Sequence, residues 1–98
     1  MPLFLIRRDS PGLTQEELDA AAFRAITCAF YFSDMRWIRS FWDRKHEALF
    51  CVYEARDAQD VVAHAHRARI PCDDVIEVEH VGPELYVGEP SRETSEAG

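Results

Sequence analysis

The stretch Leu49-Phe50-Cys51-Val52-Tyr53-Glu54-Ala55 carries the longest apolar run in the chain and restricts its fold more than any other feature. The aromatic and branched residues Phe50, Val52 and Tyr53 favour a pleated strand. Side chains alternate across a strand, so Leu49, Cys51 and Tyr53 share one face while Phe50, Val52 and Glu54 share the other. Both faces are mostly apolar. A strand of this kind needs cover on both sides, and the remaining segments have to supply it.

Leu3 to Asp9 reads as a first strand, stopped by the turn residues Ser10-Pro11-Gly12. Thr14-Gln15-Glu16-Glu17 then has the pattern of a capping box, with Thr14 as N-cap and Glu17 at the third helical position. Leu18, Ala22, Ala25, Ile26 and Ala29 form the apolar stripe of the helix that follows, which is expected to run to about Phe32. Met35 to Trp42 reads as a second strand, with Met35, Trp37 and Phe41 on one face and Ile38, Ser40 and Trp42 on the other. The polar residues 43–47 have hairpin length and lead into the central strand. Asp57 caps a second helix, with Asp60 in its first turn, and Ala58, Val61, Ala65 and Ala68 make a narrow stripe suited to close packing on a sheet. Ile70-Pro71 ends that helix, and Asp73 to Val81 supplies a fourth strand before Gly82-Pro83.

The order βαββαβ is that of a ferredoxin-like α+β fold, with two helices on one face of a four-stranded antiparallel sheet. The opposite face would then be bare and apolar on at least three strands. Exposed patches of that kind mark interfaces, so a homodimer through the open sheet face is expected, as in dimeric α+β barrels. Residues 1–83 are read as one domain and 84–98 as an acidic tail in which only Leu85-Tyr86-Val87 has the character to order.

Charge and cysteines narrow the function classes. The 98-residue chain has a formal net charge of -7. Such a balance opposes binding to a phosphate backbone, which depends on Lys and Arg, so no nucleic acid partner is expected. The N-terminal apolar run ends at Ile6, too short for an export signal or a membrane span. Cys28, Cys51 and Cys72 are an odd set without CxxC spacing, which fits a reducing cytoplasm better than a disulfide framework.

Among candidate chemical residues, His64 stands first. On a helical wheel it lies about 60° from Val61, at the edge of the buried stripe, whereas His66 points to solvent. About 10 Å along the helix from its N-cap, His64 comes opposite Val52 or Cys51 of the central strand. A histidine beside Cys51, Tyr53 and Glu54 has the donors for a borderline-soft divalent metal. It could equally move protons, since histidine titrates near neutrality. The bland alternative is a border histidine bonded to a backbone carbonyl or to Tyr53. His46 in the hairpin and His80 beside Glu79 are secondary candidates, the latter across a dimer interface. Cys28 and Cys72 read as packed small residues, and Trp37 and Trp42 as core or interface. Arg7, Arg8, Arg36 and Arg39 on neighbouring strands could bind a carboxylate, but they are read mainly as ion-pair partners of Glu77 and Glu79.

Several segments resemble a family of small bacterial proteins catalogued as a domain of unknown function. They are Arg8-Asp9-Ser10-Pro11-Gly12-Leu13-Thr14, Trp37-Ile38-Arg39-Ser40, Cys51-Val52-Tyr53-Glu54-Ala55, and His64-Ala65 with Pro71. The resemblance spans Leu3 to Val81 and matches the family pattern at Trp37, Ser40, Cys51, Tyr53, Glu54 and His64. That family includes a dimeric nickel-binding protein of ferredoxin-like fold, so the resemblance implies the same fold and nickel or another divalent transition metal as cofactor. Two departures stand out. Arg69-Ile70 replaces the usual glycine before Pro71, and Arg44 and Lys45 make the hairpin tip basic.

Three functional expectations follow, the third being a structural or regulatory partner with no ligand. The first is a small cytoplasmic homodimer binding nickel through His64, Cys51 and Glu54. The second is a cofactor-independent enzyme of the dimeric α+β barrel type, with His64 as acid or base assisted by Tyr53 or Glu54, and a pocket walled by Trp37, Ser40 and Tyr53.

Overall fold

The computed structural model describes residues 1–87. The elements are β1 (Leu3–Asp9), α1 (Gln15–Ala29), β2 (Arg36–Asp43), β3 (Ala48–Glu54), α2 (Ala58–Ala68), β4 (Asp74–Val78) and a single-turn α3 (Glu84–Val87). The four strands form one antiparallel sheet in the order β2-β3-β1-β4, so the architecture is ferredoxin-like α+β. Residues 88–98 of the acidic tail lie outside the described residues.

Local chemistry accounts for the helix starts. Thr14 accepts the Glu17 amide while Glu17 reaches back to the Thr14 amide at 3.0 Å, a complete capping box. The bond from the Thr14 amide, helped by one from the Thr14 hydroxyl, holds the Glu17 carboxyl below its ordinary range. Asp57 accepts the Asp60 amide at 2.8 Å and caps α2. Helix α1 stops at Ala29 rather than Phe32, and residues 30–32 continue as a turn. Its outer side is more apolar than the stripe reading allows, because Ile26 is 48% exposed and Phe23 and Phe30 also face outward. Strand β4 is shorter than Asp73–Val81, ending at Val78.

The central strand behaves as its alternation requires. Leu49, Cys51 and Tyr53 are buried with Phe4 and Ile6 of β1 and with Ala55 and Val61, under the helices. Val61, His64, Ala65 and Ala68 form the buried face of α2, whereas Ala58 is exposed. Phe50 and Val52 face the open side, opposite Arg7 and Leu5 of β1.

Strand β2 departs from simple alternation. The register shifts between Trp37 and Arg39, leaving Ile38 as an extra residue, a β-bulge. Trp37 pairs with Tyr53, Ser40 with Cys51 and Trp42 with Leu49, so all three lie on the helix side. Phe41, opposite Phe50, faces the open side. The expected division, with Trp37 and Phe41 together against Ser40 and Trp42, is therefore corrected by one inserted residue.

Candidate functional site

The helix side of the β2-β3 half of the sheet is not filled. The strands present large side chains there, Trp37, Trp42 and Tyr53, while α1 presents Ala21, Ala22 and Ala25. Alanines opposite aromatics leave a cleft of about 500 Å³, lined also by Pro11, Leu13, Ile70 and Pro71. That volume lies within the range of small-molecule sites. Trp37 Nε1–H donates to Ser40 Oγ at 2.9 Å along the wall, a contact that depends on the bulge. Trp42 carries the Arg44 guanidinium 3.7 Å above its ring centroid.

One charged group forms part of this wall from below. Arg8 is on the core face of β1, the same parity as Phe4 and Ile6, and is only 2% exposed. Its Nε–H donates to Cys51 Sγ at 3.3 Å and its Nη1 to the Pro71 carbonyl at 2.6 Å. Nη2 is closed off from solvent and has no hydrogen-bond partner. The expected pairing of the strand arginines with Glu77 and Glu79 does not occur among the described residues. Arg7 instead pairs with Asp9 and Arg36 with Glu54, and Arg8 has no carboxylate partner. The signal for Arg8 was present in the alternation Phe4, Ile6, Arg8.

His64 lies deeper than the helical wheel suggests. It is 1% exposed, and its Nε2–H donates to the Ala25 carbonyl of α1 at 2.8 Å. Its ring sits edge-on to Phe32 at 5.9 Å between centroids and tilted against Tyr53 at 5.3 Å. Burial, with a smaller contribution from the nearby Arg8 cation, pushes its pKa below the ordinary value; the Ala25 bond opposes the shift. His64 does not line the cleft, although its neighbours Ala25 and Tyr53 do. Burial pushes the Tyr53 hydroxyl up to about 12, partly offset by Arg8, so it stays protonated at neutral pH.

The three residues expected to hold a metal do not converge. Cys51 is buried against Arg8, and His64 is tied to Ala25. Glu54 lies on the opposite face of the sheet, bonded to Arg36 at 2.8 Å, and that bond draws its carboxyl below the ordinary range. Alternation along β3 makes this separation unavoidable. Among the described residues no group of three or more His, Cys, Asp or Glu comes together to hold a metal ion. Among the described residues two exposed histidine–carboxylate pairs form, His46 with Asp43 at 2.8 Å in the hairpin and His80 with Glu84. His80 also borders a groove on the open sheet face with Leu3, Leu5, Val52 and Val78. Cys28 and Cys72 are half-buried free thiols, as Cys51 is a buried one. No helix among the described residues is long and apolar enough to cross a membrane.

No curated protein matches the chain. A solved structure, the crystal structure of SCO4226 from Streptomyces coelicolor A3(2), superposes with a TM-score of 0.73 at 20% identity. The match covers 82% of this chain and 99% of that one, a likeness of fold. The family model described as nickel responsive protein SCO4226-like matches residues 4–78, nearly the whole sheet with both long helices. The chain belongs to the SCO4226-like family of nickel responsive proteins.

Proposed function

We propose that this protein works as a cytoplasmic homodimer that binds nickel, with the metal held at the rim of the dimer interface rather than inside one chain. The open sheet face carries the reading. Leu3, Leu5, Ile38, Val52 and Val78 lie there only partly covered, and Phe41 and Ile76 are 58% and 48% exposed. A second copy packed sheet to sheet would remove this surface from water. Membership of a nickel responsive family supports the choice of metal. Imidazole and carboxylate are donors that suit nickel, and His80 with Glu84 sets one of each side by side just past the edge strand β4. One such pair is half a site, so ligands from a second chain are needed to complete it. The three free cysteines support a reducing compartment.

The cofactor-independent enzyme has less support, because His64 is bonded to Ala25 and lies off the cleft wall. Calorimetric titration with nickel of protein free of a histidine tag, paired with sedimentation, tests the proposal. Binding should require the dimer and fall roughly tenfold or more in His80→Ala, a loss typical of removing a metal ligand or its support. Nickel affinity unchanged in His80→Ala would refute the rim site, and a monomer at every concentration would refute the dimer.

A further inference from the structure

The nickel reading leaves the cleft between α1 and the β2-β3 half of the sheet without a role. We infer that this cleft binds a small monocarboxylate with an apolar or aromatic body, its carboxylate received by Arg8. Two independent observations meet here. The first is the cleft itself, about 500 Å³ in volume, with Trp37, Trp42, Tyr53 and Leu18 on its walls. Those side chains suit an apolar body and offer ring faces for stacking.

The second observation is a guanidinium that the fold buries without a counter-charge. Arg8 has five N–H donors, and the protein supplies acceptors only for Nε and Nη1. Those acceptors are the Cys51 sulfur and the Pro71 backbone carbonyl, and neither is a carboxylate. The two N–H groups of Nη2 have no acceptor among the described residues and no exposed surface, so a carboxylate in the cleft that Arg8 lines reaches them through a small displacement of that side chain. Burying a cation in this state is costly, and removing the mismatch is correspondingly favourable. Carboxylate is the anion whose geometry best matches a guanidinium. The carboxylates already at the cleft do not serve. Asp9 is paired with Arg7, Glu17 is engaged in the capping box and Asp19 accepts from the Gln15 amide, and none of the three forms an ion pair with Arg8. A bound carboxylate would supply the charge that the chain omits, while its apolar body would fill the gap left by the alanines of α1.

The inference stands apart from nickel, so its test is made with the full chain in the presence of a chelator. The probes are 3-phenylpropionate and its neutral counterpart 3-phenylpropanamide. The chain has two tryptophans, Trp37 and Trp42, and both line the cleft, so intrinsic emission reports occupancy directly. The carboxylate should change that emission and bind roughly tenfold tighter than the amide, a difference suited to one charge-assisted bond. Arg8→Met, similar in length but uncharged, should erase the preference, and Ala22→Phe should block both probes by filling the cleft from α1. Equal affinity for acid and amide would overturn the inference, as would a preference retained in Arg8→Met or no binding of the acid up to about 10 mM, beyond which affinity loses meaning. If Arg8→Met does not fold, the comparison of acid with amide on the unaltered protein decides alone.

Discussion

His64 and Ala25 tie the two long helices together through a buried hydrogen bond, the imidazole Nε2–H of one donating to the carbonyl of the other at 2.8 Å. Ala25 is in the last part of α1 and its carbonyl is bonded across helices. With Phe32 and Tyr53 against its ring, His64 acts as a core side chain that also carries a hydrogen bond. Replacing it with alanine removes most of a fully buried ring and its bond to the Ala25 carbonyl. His64→Ala should therefore lower stability by about 3 kcal/mol in urea unfolding. Nickel affinity should be unaffected in the folded fraction, as His64 lies away from both exposed histidine–carboxylate pairs.

The same burial predicts a pH effect of definite sign. Unfolded, His64 takes up its proton near its ordinary value of 6.5; folded, it does so only at lower pH. Its contribution is thus fully present above about 6.5 and is lost as pH falls toward the folded value. The thermal midpoint should drop between pH 7.5 and 5, and His64→Leu should flatten that drop. Parallel pH curves for the two proteins would show that His64 does not set the slope.

The bulge at Ile38 governs the cleft wall, because it brings Trp37 and Ser40 to the same side of β2. Ser40→Ala leaves the indole N–H without its partner in a half-buried position. A loss of about 1 kcal/mol is expected, the net worth of an ordinary hydrogen bond. Trp37 emission should shift with it, and Ser40→Thr, which keeps the hydroxyl, should restore most of both.

Much of the architecture was legible because it follows from local chemistry. The two-sided apolar run of β3 demanded cover, and Thr14-Glu17 and Asp57 marked both helix starts through the oxygens that cap them. The bulge left no mark, since Ile38 is an ordinary strand residue and nothing in its neighbourhood requires an extra turn of backbone. That one residue hid the shared face of Trp37, Ser40 and Trp42. Arg8 was legible by parity with Phe4 and Ile6, but its place in the charged run Arg7-Arg8-Asp9 reads as a strand end turning to water. Glu54 was separable from Cys51 by the same parity. The depth of His64 depends on where α1 lies across α2, a tertiary fact that a helical wheel does not contain.

The open face yields a direct test of assembly. Val52 is central to it, on β3 between Leu5 of β1 and Arg39 of β2. Val52→Asp places a charge in the middle of the proposed contact while its own backbone ladder is untouched. The expected result is a solution mass falling from two chains to one in sedimentation, with the circular dichroism spectrum retained. A buried unpaired charge costs several kcal/mol, enough to dissociate a dimer of ordinary affinity. An unchanged mass would place the interface elsewhere.

The end of α2 offers a substitution expected to stabilise. Arg69 is left-handed, with φ 57° and ψ 49°, and its N–H bonds to the His66 carbonyl while that of Ile70 bonds to Ala65. These are the two bonds of a Schellman motif, whose left-handed position is normally glycine because a Cβ there crowds the backbone. The left-handed conformation costs a non-glycine residue about 1–2 kcal/mol, and the greater freedom of glycine in the unfolded chain returns part of this. Arg69 is exposed and makes no side-chain hydrogen bond among the described residues, so little is lost with it. Arg69→Gly should raise stability by roughly 0.5–1 kcal/mol, read as a higher denaturant midpoint at unchanged slope. Arg69→Ala keeps the Cβ and removes only the charge, so it should give no such gain. A gain from alanine equal to that from glycine would mean that the arginine charge, and not its backbone conformation, is what weakens this turn.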